Sequence, residues 1–287
     1  MKLGYYAINT GPTARPDTIA AILRCAEDAG FESAWTGEHV VAIDPQAPPS
    51  PIPPDLPIID TIASLAFAAA VTTRLKLGSG IILLAQRNPV ILAKELAGVD
   101  VLSNGRLLFG VGVGYVKGEF DAIGVPYSER GARVDDHIEA IRALWTQDRP
   151  SFDGRFTKFA NIQSKPMPVQ TPHPPIIIGG MSEAGYRRAI RHGDGWFGFG
   201  QTEEDVAASL AGLKSAAAEA GRPERFDALE ISVTPRGPVD ADRIRRFEDM
   251  GVHRLVLMPA MSGGKAGSLD GIRRFIEDTA PLAPSTS

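Results

Sequence analysis

His39 follows Glu38 at the end of an apolar segment, Ser33–Glu38, and imidazole is a group that can gain or lose a proton in general acid–base chemistry. Such a group serves as acid, base or hydrogen-bond donor to a bound ring, or it only ties down the loop that follows. Gly78-Ser79-Gly80-Ile81 closes a second apolar segment. Glycine inside a strand marks close approach of a ligand or another backbone, or a bulge in the packing. Gly110-Val111-Gly112-Val113-Gly114 closes a third segment with the spacing G-x-G-x-G. A dinucleotide fingerprint needs G-x-G-x-x-G and an acid-tipped strand about twenty residues on, whereas ERGARVDD there has a helical pattern. Three alternate glycines share one face of a strand, and on an inner face they leave open volume for a flat ring. Gly179-Gly180-Met181-Ser182 leads from a strand into a helix, where free main-chain N–H groups and the helix dipole favour a phosphate. Ser182 reads equally as a helix cap. Arg87 opens a helix, and Arg187 and Arg188 follow the second glycine loop; each meets an anion or only solvent.

Other chemistries find no residues. The first strand, KLGYYAI, lacks a His-x-His pair, and His39, His137, His173, His192 and His253 have no metal-ligand spacing, so no metal site is expected. No lysine falls inside an expected strand, since Lys2 and Lys76 stand at strand starts, which argues against a Schiff-base aldolase. Neither G-x-S-x-G nor a P-loop is present. Trp35, Trp196 and Phe199 read as packing rather than a stacking platform for bases, and the run from Arg130 to Arg142 as a solvated helix face.

The elements that must position these residues alternate along the chain. Strands are expected at Lys2–Ile8, Ser33–Glu38, Leu75–Ile81, Arg106–Val113, Pro175–Gly179, Gly195–Phe199, Leu229–Thr234 and Arg254–Met258. Helical patterns follow at 17–29, 60–72, 89–103, 130–146, 182–192, 203–220, 240–250 and 268–279. In the first of these Ile19, Ile22, Leu23 and Ala26 recur at helical spacing. Gly30, Gly105, Gly193 and Gly251 each end a helix just before a strand restarts, where a left-handed residue is needed. That repeated stop implies short loops and a parallel βα array. The expected fold is α/β, a single (β/α)8 TIM barrel over residues 1–280 with an extended segment after strand 4 and a flexible tail at 281–287. An open doubly wound sheet is the alternative.

Two stretches break the rhythm. Asp44–Pro57 (DPQAPPSPIPPDLP) is too rich in proline for a helix or a central strand, and is either a lid over a ligand or a solvated excursion. The link at 115–173 holds one helix and SFDGRFTKF, in which Asp153-Gly154 signals a hairpin.

The chain has 287 residues, 44% hydrophobic and 22% charged, a globular balance with 30 glycines and 23 prolines, below the low-complexity range. A net charge of −4 makes non-specific nucleic-acid binding a poor candidate, while leaving room for a local anion pocket. The single cysteine, Cys25, permits no intrachain disulfide, and a reducing cytoplasm fits. The start, MKLGYYAINTGP, has no signal-peptide core, and the apolar run Ile62–Val71 is too short to cross a bilayer, so no membrane partner is expected.

In this order GFESAWTGEH, RLKLGSGIILLAQRNPVILAKELAGVDVLSNGRLLFGVGVGY and PPIIIGGMSEAGYRRAIRHGDGWF resemble the luciferase-like monooxygenase superfamily over roughly residues 1–280. The ALW before SFDGRFTKF, with PPIIIGG and GDGWF, is most similar to the F420-dependent oxidoreductase branch. The resemblance implies coenzyme F420, or alternatively FMN, at the barrel mouth with its ring over the ends of strands 3 and 4. His39 matches the family's active-site histidine, and Gly80-Ile81 matches a non-prolyl cis peptide behind the ring, next to Ser79. Gly112 and Gly114 lie in the glycine run against the ring; Gly179, Gly180 and Met181, with Ser182, match the phosphate loop. In a sugar-phosphate dehydrogenase branch a glutamate follows the glycine run as proton donor. Here Tyr115 stands at that place and Glu119 four residues later, so neither that substrate nor that acid carries over. The implied activity is hydride transfer between the ring and a small organic substrate, with His39 and then Tyr115 as proton relay. An FMN-dependent monooxygenase using O₂ is the alternative, and a ligand-binding barrel without turnover is a third. Relatives are commonly homodimers, so a homodimer is expected.

Overall fold

Short strands with apolar residues on both faces must be covered on both sides, and parallel strands wrapped by helices achieve this. The computed structural model describes residues 1–264 and 267–283. Its strands are β1 (Lys2–Tyr6), β2 (Ser33–Thr36), β3 (Lys76–Ser79), β4 (Leu107–Gly112), β5 (Ile176–Gly179), β6 (Gly195–Gln201), β7 (Glu230–Pro235) and β8 (Arg254–Leu257). Each pairs in parallel with its sequence neighbour, β1 pairs with β8, and Leu77 opposite Leu107 joins β3 to β4, so the sheet closes. Outside it run α1 (Pro16–Asp28), α2 (Thr61–Val71), α3 (Pro89–Leu102), α4 (Arg130–Thr146), α5 (Glu183–His192), α6 (Glu203–Glu219), α7 (Ala241–Asp249) and α8 (Leu269–Thr279). This is the expected (β/α)8 barrel rather than an open sheet.

Inside, the side chains of alternate strand positions fill the barrel. Trp35, Leu108, Ile177, Phe197 and Val256 form one buried layer, with Trp35 and Phe197 stacked at 5.5 Å. Gly78 makes room for Trp35: a β-carbon there would lie 2.3 Å from the indole. Below that layer Arg254, with no exposed surface, binds Glu32 at 2.8 Å and 2.9 Å, Glu230 at 3.2 Å and Ser232 Oγ at 2.9 Å. The bottom of the barrel is therefore plugged, and only the end where the strands run out can open to a ligand.

Several boundaries differ from expectation. Strand β3 ends at Ser79, and after a non-prolyl cis bond at Gly80–Ile81 a two-residue strand, Ile82–Leu83, resumes pairing with β4. Gly30, Gly105 and Gly251 have positive φ, but Gly193 is extended at φ −84°. Its lack of a side chain serves packing instead, since a β-carbon would lie 2.8 Å from the Ala189 carbonyl oxygen. The link after β4 begins with a helix the periodicity does not announce, Lys117–Ile123. The expected hairpin forms from Phe152–Asp153 and Lys158–Phe159, with Asp153-Gly154 at the start of its turn rather than forming it alone. The Arg130–Arg142 run is not a wholly solvated face, because Val134, His137, Ile138 and Ile141 of α4 are buried. Ala280–Leu282 continues α8 as a 3-10 turn, and of the expected tail 284–287 lie outside the described residues. Among the described residues no helix is long and apolar enough to cross a membrane.

Candidate active site

The β2 strand delivers Glu38 and His39 to the rim, and they point to different tasks. Glu38 is buried and accepts the Leu83 N–H at 2.5 Å and Arg87 Nε at 3.0 Å. Arg87 also reaches Asp60 at 2.8 Å, the residue that caps α2. Burial opposes the Arg87 charge, but Glu38 and Asp60 outweigh it and hold the guanidinium above its ordinary value. The rim arginine is thus a tie between loops.

His39 meets a different carboxylate. Its Nδ1 lies 2.6 Å from Glu119 Oε1, while Glu119 Oε2 accepts Gln86 Nε2 at 3.1 Å. Glu119 is 1% exposed and His39 16%. Glu119 comes from the Lys117–Ile123 helix, Gln86 from the turn after Ile82–Leu83, so three successive loops meet at one point. The Tyr115 ring stands edge-on to His39 at 6.4 Å, half exposed. Burial, with Glu119 close by, pushes its phenol above the ordinary value and keeps it protonated.

The floor of the mouth is Ile81. Ser79, fully buried, donates its hydroxyl to the Gly110 carbonyl at 2.9 Å and accepts the Gly110 N–H at 2.8 Å, which leaves it no share in the open surface. The Tyr6 hydroxyl donates to the Gly80 carbonyl, and its ring lies against Phe197 and Phe199. The vacant floor expected of the alternate glycines is absent. A β-carbon on Gly112 would lie 2.3 Å from Ile81 Cδ1, one on Gly179 2.4 Å from it, and one on Gly110 1.8 Å from the Ser79 carbonyl oxygen. A β-carbon on Gly114 would lie 2.9 Å from the Phe120 ring. Gly110, Gly112 and Gly179 accommodate the bulge at Ile81, and Ile81, partly exposed, presents the surface instead.

The second glycine loop keeps its main chain bare. Gly180 has φ +126°, open only to glycine at low cost, and its carbonyl accepts Trp196 Nε1 at 2.9 Å. Gly185 lets α5 approach, since a β-carbon there would lie 3.0 Å from the Gly180 oxygen. Ser182 Oγ caps α5 by accepting the Gly185 N–H at 3.3 Å. Met181 is exposed, its sulfur 2.6 Å from Gln201 Nε2. Arg188 is not free for an anion, because it pairs with Asp135 at 2.7 Å and is almost buried; Arg187 is exposed beside Glu183 and Glu219. Positive potential at this loop comes from main-chain amides and the α5 dipole.

His39, Tyr115, Ile81 and the Gly179–Ser182 loop therefore share the C-terminal end of the barrel, while Ser79, Gly112 and Gly114 shape it from behind. Sequence reasoning passed over Glu119, Gln86 and Tyr6 as parts of the site. One signal for the first was available: Gly124, left-handed at φ 72°, closes a short helix over KGEFDAI. The Asp44–Pro57 excursion is mostly exposed, but Ile43 beside it packs on Gly118, next to Glu119. Hollows of about 420 Å³ and 440 Å³ lie elsewhere, one between Pro238 and Phe275 and one at the Phe152–Phe159 hairpin, and neither lining holds a histidine among the described residues.

The model of the luciferase-like monooxygenase family matches residues 1–252. An uncharacterized protein of Mycobacterium tuberculosis is 32% identical over 279 residues, covering 92% of this chain and 95% of that one. The FMNH2-dependent dimethylsulfone monooxygenase of Pseudomonas putida is 39% identical over 137 residues, 47% of this chain and 38% of that protein. A structure of an F420-dependent secondary alcohol dehydrogenase with an F420-acetone adduct superposes with a TM-score of 0.79 at 17% identity, over 100% of this chain and 99% of that one.

Proposed function

The chain belongs to the luciferase-like monooxygenase family, and from that premise we propose that it is an F420-dependent oxidoreductase acting on a small organic substrate. The observation that carries this reading is His39, a rim imidazole with one nitrogen engaged by a buried carboxylate and little of its surface exposed. Segments most similar to the F420-dependent branch, PPIIIGG and GDGWF, support the choice of cofactor, as does the full-length fold likeness to an F420-dependent dehydrogenase.

The residues present fit such a group. Gly180 and Gly185 give a bare loop at the start of α5 that side chains would fill, suited to a phosphate, and Ile81 offers an apolar surface for a flat ring. A bound deazaflavin supplies two-electron hydride chemistry. The protein's own share is orientation, exclusion of water and movement of a proton. Tyr6 and Phe199, backed by the buried Phe197, line one side of the mouth with aromatic surface. With Nδ1 engaged, His39 Nε2 is the nitrogen left to exchange a proton with the substrate, and Tyr115 is a neutral phenol beside it.

Fluorescence titration with F420 and FMN side by side tests the reading. F420 should bind at least about tenfold more tightly, a difference of about 1.4 kcal/mol. Tight FMN binding with none for F420 overturns it in favour of an FMN-dependent monooxygenase, the reading that the likeness to the dimethylsulfone monooxygenase favours. Binding of neither, with no turnover, leaves a barrel for another ligand.

A further inference from the structure

We propose that Glu119 is the positioning residue of this site, holding His39 as the Nδ1–H tautomer so that Nε2 is the nitrogen that exchanges the proton. The role in turnover rests on the function proposed above; the contact itself does not. A carboxylate only accepts hydrogen bonds. Glu119 Oε2 accepts the Gln86 amide at 3.1 Å, and Oε1 lies 2.6 Å from His39 Nδ1. With Glu119 ionised, the hydrogen of that second contact must sit on Nδ1, and Nε2 then carries the lone pair. An ionised carboxyl that is 1% exposed needs partners on both oxygens, and these two side chains supply them. The other placement, with the proton on Glu119, would make His39 the Nε2–H tautomer and reverse its role.

The three residues come from the loops after β2, β3 and β4, so the arrangement is a product of barrel closure and not of one local motif. Tyr115, edge-on to the imidazole, and Ile43, packed on Gly118, flank it. A merely structural glutamate could be replaced by the isosteric amide without changing the imidazole. A positioning glutamate could not: in Glu119→Gln, with Gln86 donating as it does in the wild type, the carbonyl faces Gln86, the NH₂ faces Nδ1, and the tautomer inverts.

Two-bond ¹H–¹⁵N correlation on histidine-labelled protein without cofactor reads the tautomer, with His39 assigned by its loss in His39→Asn. The expected result is Nδ1–H in the wild type and Nε2–H in Glu119→Gln. An Nε2–H wild type overturns the proposal whether or not the variant folds. Kinetically, Glu119→Gln should lose at least about tenfold in kcat, as wrong-tautomer variants of histidine dyads do, with cofactor Kd within about threefold. In the Glu119→Gln/His39→Ala double variant the two losses should not multiply; multiplied losses overturn it. If neither F420 nor FMN binds, the proposed function fails, and the tautomer measurement still decides the role of Glu119.

Discussion

Ile81 Cδ1 occupies the place where a side chain on Gly112 would begin, 2.3 Å from the β-carbon position, and Gly179 closes on the same atom from the next strand at 2.4 Å. The glycines and the isoleucine are one packing unit beneath the mouth. Gly112→Ala should displace Ile81 upward, destabilise the protein by about 1–3 kcal/mol through overpacking, and weaken cofactor binding at least about tenfold. Trimming the partner in Gly112→Ala/Ile81→Ala should restore much of the stability. Unchanged thermal unfolding and binding in the single variant would show that the contact does not shape the site.

His39→Ala separates chemistry from binding. Loss of a positioned acid or base costs about 10²- to 10⁴-fold in turnover, whereas the loop proposed to take a cofactor phosphate, Gly179–Ser182, offers main-chain groups that this substitution does not touch. We expect kcat to fall by at least about a hundredfold, with cofactor Kd changed by no more than a few fold. Turnover at the wild-type rate removes His39 from the reaction.

Tyr115 is pushed above its ordinary value of 10.0 by burial and by Glu119, so the phenol is neutral throughout the physiological range. The ratio of wild-type to Tyr115→Phe turnover should therefore stay flat from pH 7 up to about 10 and change only above it. A ratio that falls between pH 7 and 9 would mean that Tyr115 ionises earlier and does not act as a neutral donor.

What could be read without coordinates follows the physics of each signal. Strand and helix alternation is local, and the barrel order, the glycine loop before α5 and the rim place of His39 follow from it. The glycines were legible as close approaches, but not what approaches. Gly112 and Gly179 lie on different strands, and only closure of the barrel brings Ile81 between them. Glu119 was harder still. It lies on a seven-residue helix too short for hydrophobic periodicity to register, and its two partners are 33 and 80 residues away in the chain.

The closed end of the barrel makes its own prediction, about acid. Burial pushes Glu32 upward, but the Arg254 guanidinium outweighs it and holds the carboxyl at about 2, against an ordinary value of 4.5. Because the folded value lies below the unfolded one, the unfolded chain binds more protons in acid. The contribution of Glu32 is complete above pH 4.5 and is lost as pH falls from there to about 2. A shift of that size corresponds to at most about 3 kcal/mol, less the part that solvent screens at a partly exposed group. Glu32→Gln removes this term and leaves Arg254 buried with Glu230 as its remaining carboxylate partner. Urea unfolding of the two proteins should therefore differ most at pH 7, and the gap should narrow steadily between about pH 4.5 and 2 as the wild type loses what the variant never had. A gap that stays constant across that range would mean that the ion pair contributes no pH-linked stability, and that Arg254 is held by Ser232 and Glu230 alone.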